Sequence, residues 1–347
     1  QESPEWSHWK GALEREMNGQ INNGVWVQVE RPKRKTVLGT KTLFKRKIGK
    51  DGQIEKYKCR FVTQGFRQVK GSHHHESSSP TPTASSMRAV LATAAVKNWE
   101  LRHIEVEQAY LQADIDEEIY IELPDARFRT RSCFKIKDLG EAEIYLGCHI
   151  TRNREARTLT FDQHIYAETV AKRFNVTKTS MIPMATGVKP LSKEDGPKNP
   201  KEREEMRRIP YREAVGALMW AATMTRPDLS FAAHNLAKFC DDPGPVHWKA
   251  AMKALRYLWR TKDLGITYGG VTSRGLTTSA YVDSDHATCP GSRRSVSGGA
   301  VMLGGGTISW FSLAQRVTAS ASSESEHVAL AGIVNETKFL RQVQEFI

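Results

Sequence analysis

Apolar and charged residues alternate along two early stretches of the chain, TVLGTKTLFKRKI (36–48) and EKYKCRFVTQGF (55–66). A period of two is the pattern of a β-strand that has one covered face. Between the two stretches, GKDGQ contains Asp51-Gly52, a dipeptide typical of tight hairpin turns. The pattern therefore predicts a β-hairpin, and one whose charged positions are almost all basic.

Helical spacing of apolar residues follows further along. The segment MRAVLATAAVKNW (87–99) predicts a helix, with Met87, Val90, Leu91 and Ala94 on one face. A second helix, from about 211 to 239, is expected to break or restart at Pro227 because proline removes a backbone donor. A third, HWKAAMKALRYLWRT (247–261), has an apolar stripe formed by Trp248, Met252, Leu255 and Trp259.

Short strand patterns return from about residue 276. LTTSAYVD, SGGAVML, GTISWF and QRVTAS are separated by glycines or polar turns. A helix is expected from about Ser323, with an inward face of Leu330, Ile333, Val334, Thr337 and Leu340. Ser322 and Ser323 are interpreted as its N-cap residues. Strand and helix patterns both occur along the chain, and the class predicted for it is α+β.

Charge changes this picture at one place. Residues 31–70 carry 14 Lys and Arg against 2 acids, whereas the remainder has 37 of each, so this stretch accounts for the net charge of +12. Basic residues interleaved with aromatic ones are the pattern of a surface that binds a nucleic-acid backbone. A solvated basic hairpin is the alternative. The candidate contacts in the first strand are Lys45, Arg46 and Lys47.

Two carboxylates, Asp283 and Asp285, end the strand in SAYVDSDHA. Residues two apart on a strand share a face, so both acids are able to face one metal ion. From these residues alone, a polymerase site, a nuclease site and an ordinary strand end with solvated acids all remain open. The five cysteines are scattered and form no CxxC pair, which favours free thiols in a reducing compartment over disulfides or zinc. No apolar run is long enough to span a membrane.

Long motifs in a fixed order then identify a family. KYKCRFVTQGFRQVKG, IEVEQAYLQADIDEEIYIELPD, FKIKDLGEAEIYLGCHI, YREAVGALMWAATMTRPDLSFAAHNLAKF, RRSVSGGAVMLGGGTISWFS and ASSESEHVALAGIVNETKFLR run through most of the chain. Together they resemble the reverse transcriptase and ribonuclease H region of copia-type LTR retrotransposon polyproteins. The resemblance implies partial fingers, palm and thumb followed by a truncated ribonuclease H-like α/β domain.

The resemblance also implies site residues. Lys58 and Arg60 match fingers positions that contact the triphosphate of an incoming nucleotide. Glu105 stands where the family has the first polymerase Asp. The segment with the other two polymerase acids is missing, because only DARFRTRSC separates two motifs that flank it in the family. Polymerase activity is therefore not expected of this copy.

For the nuclease, the resemblance assigns YVDSD to the first ribonuclease H strand. Asp283 then matches a metal-binding acid, Glu326 matches the helix-borne glutamate, and Asp285 is a further candidate ligand. The family's third acid lies on a strand beyond Ile347. The implied cofactor is Mg²⁺ (or Mn²⁺), held in pairs by carboxylates. A separate run, His73-His74-His75-Glu76, is a weaker candidate for a transition metal.

The implied organisation has four parts: residues 1–127 as fingers and N-terminal palm, 128–190 as C-terminal palm and thumb remnant, 191–270 as a helical connection, and 271–347 as a partial ribonuclease H-like domain. The expected partners are an RNA template, an RNA/DNA hybrid and dNTPs, with no membrane. The expected location is intracellular, either cytoplasmic (ancestrally in virus-like particles) or nuclear.

Two hypotheses about function stay open. In the first, the chain is a fragment of an RNA-directed DNA polymerase with ribonuclease H, inactive as a polymerase. In the second, it is an inactive remnant that keeps non-specific nucleic-acid binding through residues 31–70. A decayed or wrongly spliced copy that never folds is a third possibility.

Overall fold

A computed structural model describes residues 4–22, 25, 29–33, 35–48, 54–68, 81–106, 119–122, 136–185, 190–270, 275–289 and 292–347. The chain divides into two compact units, Gln1–Pro80 with His103–Gly140, and Thr81–Arg102 with Glu141–Ile347. The predicted α+β class is confirmed. In chain order the elements are α1 (Trp6–Asn22), β1 (Val37–Leu38), β2 (Thr40–Ile48), β3 (Ile54–Thr63), α2 (Ala84–Lys97), β4 (Arg102–Val106), β5 (Tyr120–Ile121), β6 (Ile136–Glu141), β7 (Ile144–Tyr145), β8 (Cys148–Asn153), β9 (Thr158–Asp162), α3 (His164–Arg173), α4 (Pro200–Arg207), α5 (Tyr211–Met224), α6 (Ser230–Ala237), α7 (Pro245–Arg260), β10 (Gly265–Gly269), β11 (Ser279–Asp285), β12 (Val296–Leu303), β13 (Gly306–Ala314) and α8 (Ser322–Phe346).

The first unit is built around the predicted hairpin. β2 and β3 pair antiparallel, with Phe44 opposite Cys59 and Lys45 opposite Lys58. The helix α1, which the sequence patterns did not predict, packs on β3. Its Trp9 meets Phe44 edge-on at 5.3 Å between ring centroids. Two further small sheets, β1 with β5 and β4 with β6, complete the described part of this unit.

The second unit has two antiparallel sheets. One has the strand order β10-β9-β8-β7 and the other β11-β12-β13. They approach closely where Gly269 N–H donates to the Gly304 carbonyl and the Tyr268 hydroxyl donates to the Thr307 carbonyl. A Cβ on Gly306 would lie 2.6 Å from the Tyr268 ring, so glycine is required for this contact. A shared apolar core includes Phe161, Tyr268 and Ile308.

Helix α2 covers this core, and its buried Arg88 fixes it in place. The Arg88 guanidinium donates to the carbonyl oxygens of Ile308, Thr223 and Met224, at 2.7, 2.8 and 3.1 Å. It also lies 4.0 Å from the centroid of the Trp310 ring. The side chain is 4% exposed, and burial lowers its pKa to about 10. The cation is therefore held mainly by carbonyl dipoles and an aromatic face, and the negative charge of Glu336 favours it further.

A second core in this unit is purely helical. It joins α3, α5, α6 and α7 through Tyr211, Leu218, Leu236 and Leu255, all at most 2% exposed. The break expected at Pro227 is present, because α5 ends at Met224 and a short 3-10 turn precedes α6.

Four details differ from the sequence predictions. Residues 315–320 (QRVTAS) form no strand. On α8, Ile333 and Leu340 are buried as expected, but Leu330 is 48% and Val334 40% exposed, because the helix lies on the sheet along a narrower stripe than predicted. On α2, Val90 likewise faces outward. α8 begins at Ser322 with Ala321 as its N-cap residue, so Ser322 and Ser323 do not cap it.

Candidate functional site

The β2–β3 hairpin presents two chemically different faces. Successive side chains of a strand point to opposite faces, and the register therefore sorts them. One face contacts α1. The ring centroids of Trp9 and Tyr57 are 4.6 Å apart, and the backbone N–H of Phe61 donates to the Glu16 carboxylate. The opposite face carries six cations, which we call the basic face: Lys41, Lys45, Lys47, Lys56, Lys58 and Arg60.

Like charges face each other directly across this basic face. Lys45 is opposite Lys58 and Lys47 is opposite Lys56. Partial burial lowers the pKa of Lys58, and the positive charges of Arg60 and Lys47 lower it further. Like charges directly opposite one another destabilise a strand pair. A surface that retains them is suited to a polyanion, because bound phosphates offset the repulsion.

Of the five basic residues predicted to contact nucleic acid, four lie on the basic face: Lys45, Lys47, Lys58 and Arg60. Arg46 lies on the covered face instead. Its guanidinium is 2.7 Å from the carboxylate of Glu5, the residue that precedes α1. The pairing gives Arg46 a role in holding α1 against the hairpin.

Glu105, the candidate polymerase acid, lies on β4. Its negative charge raises the pKa of Lys58, opposing the effects of burial and of the neighbouring cations. The carboxylate is therefore near the basic face. The histidines 73–75 lie outside the described residues.

The nuclease candidates converge on one strand residue. Asp283 and Asp285 flank Ser284 on β11, and both acids are exposed. The Ser284 N–H donates to Oε1 of Glu326 at 3.4 Å. The structure thus brings the helix-borne glutamate to the residue between the two strand acids. These are oxygen ligands of the kind that Mg²⁺ prefers.

A buried polar network beneath these acids was not anticipated from the sequence. The hydroxyls of Ser284 and Ser325 lie 2.6 Å apart, and Ser325 is fully buried. Nε2 of Gln315 donates to the Ser325 carbonyl and to the Ser297 hydroxyl, at 2.8 and 2.9 Å. The network fixes the first turn of α8 on the sheet, and with it the position of Glu326. In the sequence, these serines cannot be distinguished from serines whose hydroxyls face solvent.

Among the described residues, no three or more His, Cys, Asp or Glu side chains are grouped so as to hold a metal ion. Asp283, Asp285 and Glu326 therefore have the right chemistry but not the arrangement of a metal-binding triad.

Cys59, Cys148, Cys240 and Cys289 are free thiols. None of the described helices combines the length and the apolar character needed to cross a membrane.

Trp310, on β13, is used in packing. Its indole N–H donates to the Ala222 carbonyl at 2.7 Å, and the Arg88 guanidinium covers its ring.

Comparison with known proteins agrees with the motifs. Residues 23–128 match the family model described as reverse transcriptase (RNA-dependent DNA polymerase). The chain is 29% identical over 423 residues to the retrovirus-related Pol polyprotein from transposon TNT 1-94 of Nicotiana tabacum, covering 98% of this chain and 32% of that protein. It is 27% identical over 418 residues to the Pol polyprotein from transposon RE2 of Arabidopsis thaliana, covering 96% of this chain and 28% of that protein. No solved structure matches.

A shorter relative matches over one part of the chain. The secreted RxLR effector protein 161 of Plasmopara viticola is 41% identical over 135 residues, which are 39% of this chain and 94% of that protein.

Length comparisons show how this chain differs from the polyproteins. It spans about a third of the length of the first of them. That alignment of 423 residues takes in 98% of the 347 residues here, so about 80 aligned positions have no counterpart in this chain. The motifs, the reverse transcriptase match and relatives aligned over nearly the whole sequence lead to one conclusion: the chain belongs to the family of copia-type retrotransposon Pol polyproteins.

Proposed function

We propose that this chain binds nucleic acid non-specifically through the basic face of the β2–β3 hairpin and does not synthesise DNA. The observation that carries the proposal is the pairing of Lys45 with Lys58, and of Lys47 with Lys56, on the face away from α1. The sequence-independent part of nucleic-acid affinity comes from phosphates that replace counterions at such cations.

RNA templates, RNA/DNA hybrids and dNTPs are the ligands proposed for this surface by family descent. The ancestral reactions are RNA-directed DNA synthesis and degradation of the hybrid's RNA. The intact family enzyme uses divalent metals for both. Such a role places the chain in the cytoplasm or nucleus, and this location is likewise a proposal.

Two arguments support the absence of polymerase activity. Glu105 replaces the family's Asp, and the extra methylene moves its oxygens by about a C–C bond length. A misplacement of about 1 Å is enough to cost about 100-fold in rate. In addition, no other acid joins it in a metal-binding group among the described residues. The segment that carries the two remaining polymerase acids in the family has no match in this sequence.

Ribonuclease H activity is a second candidate, favoured by the contact between Glu326 and Ser284. It is less well supported than binding, because Asp283, Asp285 and Glu326 do not form a metal-binding triad here.

Binding and catalysis are tested on the same purified chain. Fluorescence anisotropy with a labelled RNA/DNA hybrid is expected to show binding that Lys45→Gln/Lys47→Gln/Lys58→Gln weakens strongly. The control, Lys201→Gln/Lys249→Gln, removes exposed lysines of the second unit and is expected to bind like the parent. Primer extension and hybrid cleavage with Mg²⁺ are run in parallel. Equal binding by both multiple variants would refute the binding surface, and primer extension would refute the absence of polymerase activity.

A further inference from the structure

Two histidines meet on the surface of the second unit. His149 lies on β8, and His164 is the first residue of α3. Their ring centroids are 4.6 Å apart, and the ring planes are inclined by 48°. Asp162 is paired directly with His149 across the β8–β9 ladder, so its side chain emerges on the same face of the sheet.

The separation of the rings matches a shared metal ion. Two imidazoles bound to one tetrahedral ion at metal–nitrogen distances of about 2.0–2.1 Å have centroids about 5 Å apart. The inclination also brings the rings out of a parallel stack. Small rotations of the two side chains therefore suffice to direct one nitrogen of each ring at a common point.

Asp162 orients one of these ligands. Its Oδ1 lies 2.5 Å from Nδ1 of His164 and also accepts the His164 backbone N–H at 3.1 Å. Asp162 is only 8% exposed. A carboxylate on Nδ1 fixes the ring and leaves Nε2 for a metal, which is the usual outer-shell arrangement of metal-bound histidine.

We propose that His149 and His164 bind a transition-metal ion such as Zn²⁺, Ni²⁺ or Cu²⁺, with Asp162 as the positioning carboxylate. An imidazole that uses one nitrogen in a hydrogen bond keeps the other for a metal. Water completes the coordination, since the described residues contain no group of three protein ligands. Imidazole ligands favour these ions over Mg²⁺, so the site is distinct from any retrotransposon polymerase or nuclease centre. The inference does not rest on the proposed function.

Bound metal would join two elements. β8 is a strand of the four-stranded sheet, and α3 is one of the helices of the helical core. A ligand that binds only the folded chain stabilises it according to its affinity and concentration. Metal binding is therefore expected to raise the melting temperature as well as to give a calorimetric signal.

The test is isothermal titration with ZnCl₂ and NiCl₂ on a chain in which His73, His74 and His75 are all changed to Ser, because that run is itself able to bind metal. We expect one ion per chain. His149→Asn and His164→Asn should each abolish measurable binding, and Asp162→Asn should weaken it about 10- to 100-fold. The control His327→Asn, on the exposed side of α8, should leave it unchanged.

Melting curves without metal identify any variant that fails to fold, and His149→Asn then carries the test alone because its strand position tolerates a polar side chain. Absence of binding by the His73–His75 variant would overturn the proposal. Unchanged binding by both His149→Asn and His164→Asn would overturn it as well.

Discussion

Lys45 and Lys58 lie directly opposite each other on the basic face of the β2–β3 hairpin. One residue along each strand, Arg46 and Tyr57 form the next pair on the covered face, where Arg46 meets Glu5, the residue that precedes α1. The hairpin therefore has an attractive ion pair where it needs to hold a helix and a repulsive pair where it is open. This contrast is difficult to explain by folding alone and follows simply from binding a polyanion.

Charge removal should have opposite effects on the two faces. Lys45→Gln is expected to stabilise the hairpin by about 0.2–1 kcal/mol, because it relieves the repulsion from Lys58. Arg46→Gln should destabilise the hairpin by no more than about 1 kcal/mol, because it removes an exposed ion pair. Urea denaturation at low salt measures the free energy of unfolding of both variants. Their differences from the parent should shrink at high salt. A change of the same sign in both variants would contradict the account.

Arg88 should be among the most sensitive positions in the second unit. Arg88→Met removes the donor to three carbonyl groups, two of them in buried hydrogen bonds, so we expect the free energy of unfolding to fall by at least about 3 kcal/mol. Arg212→Met is the matched control: its guanidinium contacts Asp241 and the Cys240 carbonyl but is 70% exposed, and we expect a loss below about 1 kcal/mol. Equal losses would show that the buried guanidinium has no special role.

His247 should make stability depend on pH. The side chain is fully buried and stacks on Phe239 at 4.1 Å. Its Nδ1 accepts from the Gly244 N–H and Nε2 lies 3.0 Å from the Ser192 carbonyl. Burial lowers the pKa of His247, and contacts with Ser192 and Asp195 only partly oppose this.

The unfolded chain therefore binds the proton more readily. The contribution of His247 is fully present above the unfolded pKa of about 6.5, and it is lost as pH falls from there through the lower folded value. Denaturation curves at several pH values should show this loss in the parent and a smaller one in His247→Asn. His327→Asn, at an exposed site, should keep the parent's pH dependence.

The cysteines should differ sharply in reactivity. Burial raises the pKa of Cys59 to about 11 and that of Cys148 to about 12, so both thiols are protonated and shielded at neutral pH. Cys240 and Cys289 are half-buried. Reaction with a disulfide reagent should label Cys240 and Cys289 in the native chain, and Cys59 and Cys148 only after unfolding. Mass mapping distinguishes them, and early labelling of Cys148 would contradict the described core.

Sequence patterns were most informative where one periodicity dominates. The alternation in the hairpin predicted both strands, and the apolar stripe of 247–261 predicted α7, because each pattern spans a whole element. The helix α1 was missed, since its buried Met17 and its Trp9, which packs on the hairpin, belong to no continuous apolar face in the sequence. Leu330 and Val334 were predicted to be inward because helical spacing alone does not indicate how wide the contact with a sheet will be.

The candidate sites were predictable only in part. Alternation was sufficient to separate Arg46 from Lys45 and Lys47, but the helix that covers one face was needed to identify which face is open. The meeting of Glu326 with Ser284 was suggested by family motifs and not by spacing. His149 and His164, 15 residues apart, meet because β8 and β9 are paired, and neither residue stands out in the sequence.

The salt dependence of nucleic-acid binding tests the central claim most directly. Affinity for a short duplex is measured between about 50 and 200 mM salt for the parent, for Lys45→Gln/Lys58→Gln and for the control Lys201→Gln/Lys249→Gln. If the basic face binds phosphates, the slope of log affinity against log salt should become less negative by about 2 in the first variant. In the control, it should stay at the parent value. Identical slopes in all three proteins would contradict the assignment of the basic face as the nucleic-acid-binding surface.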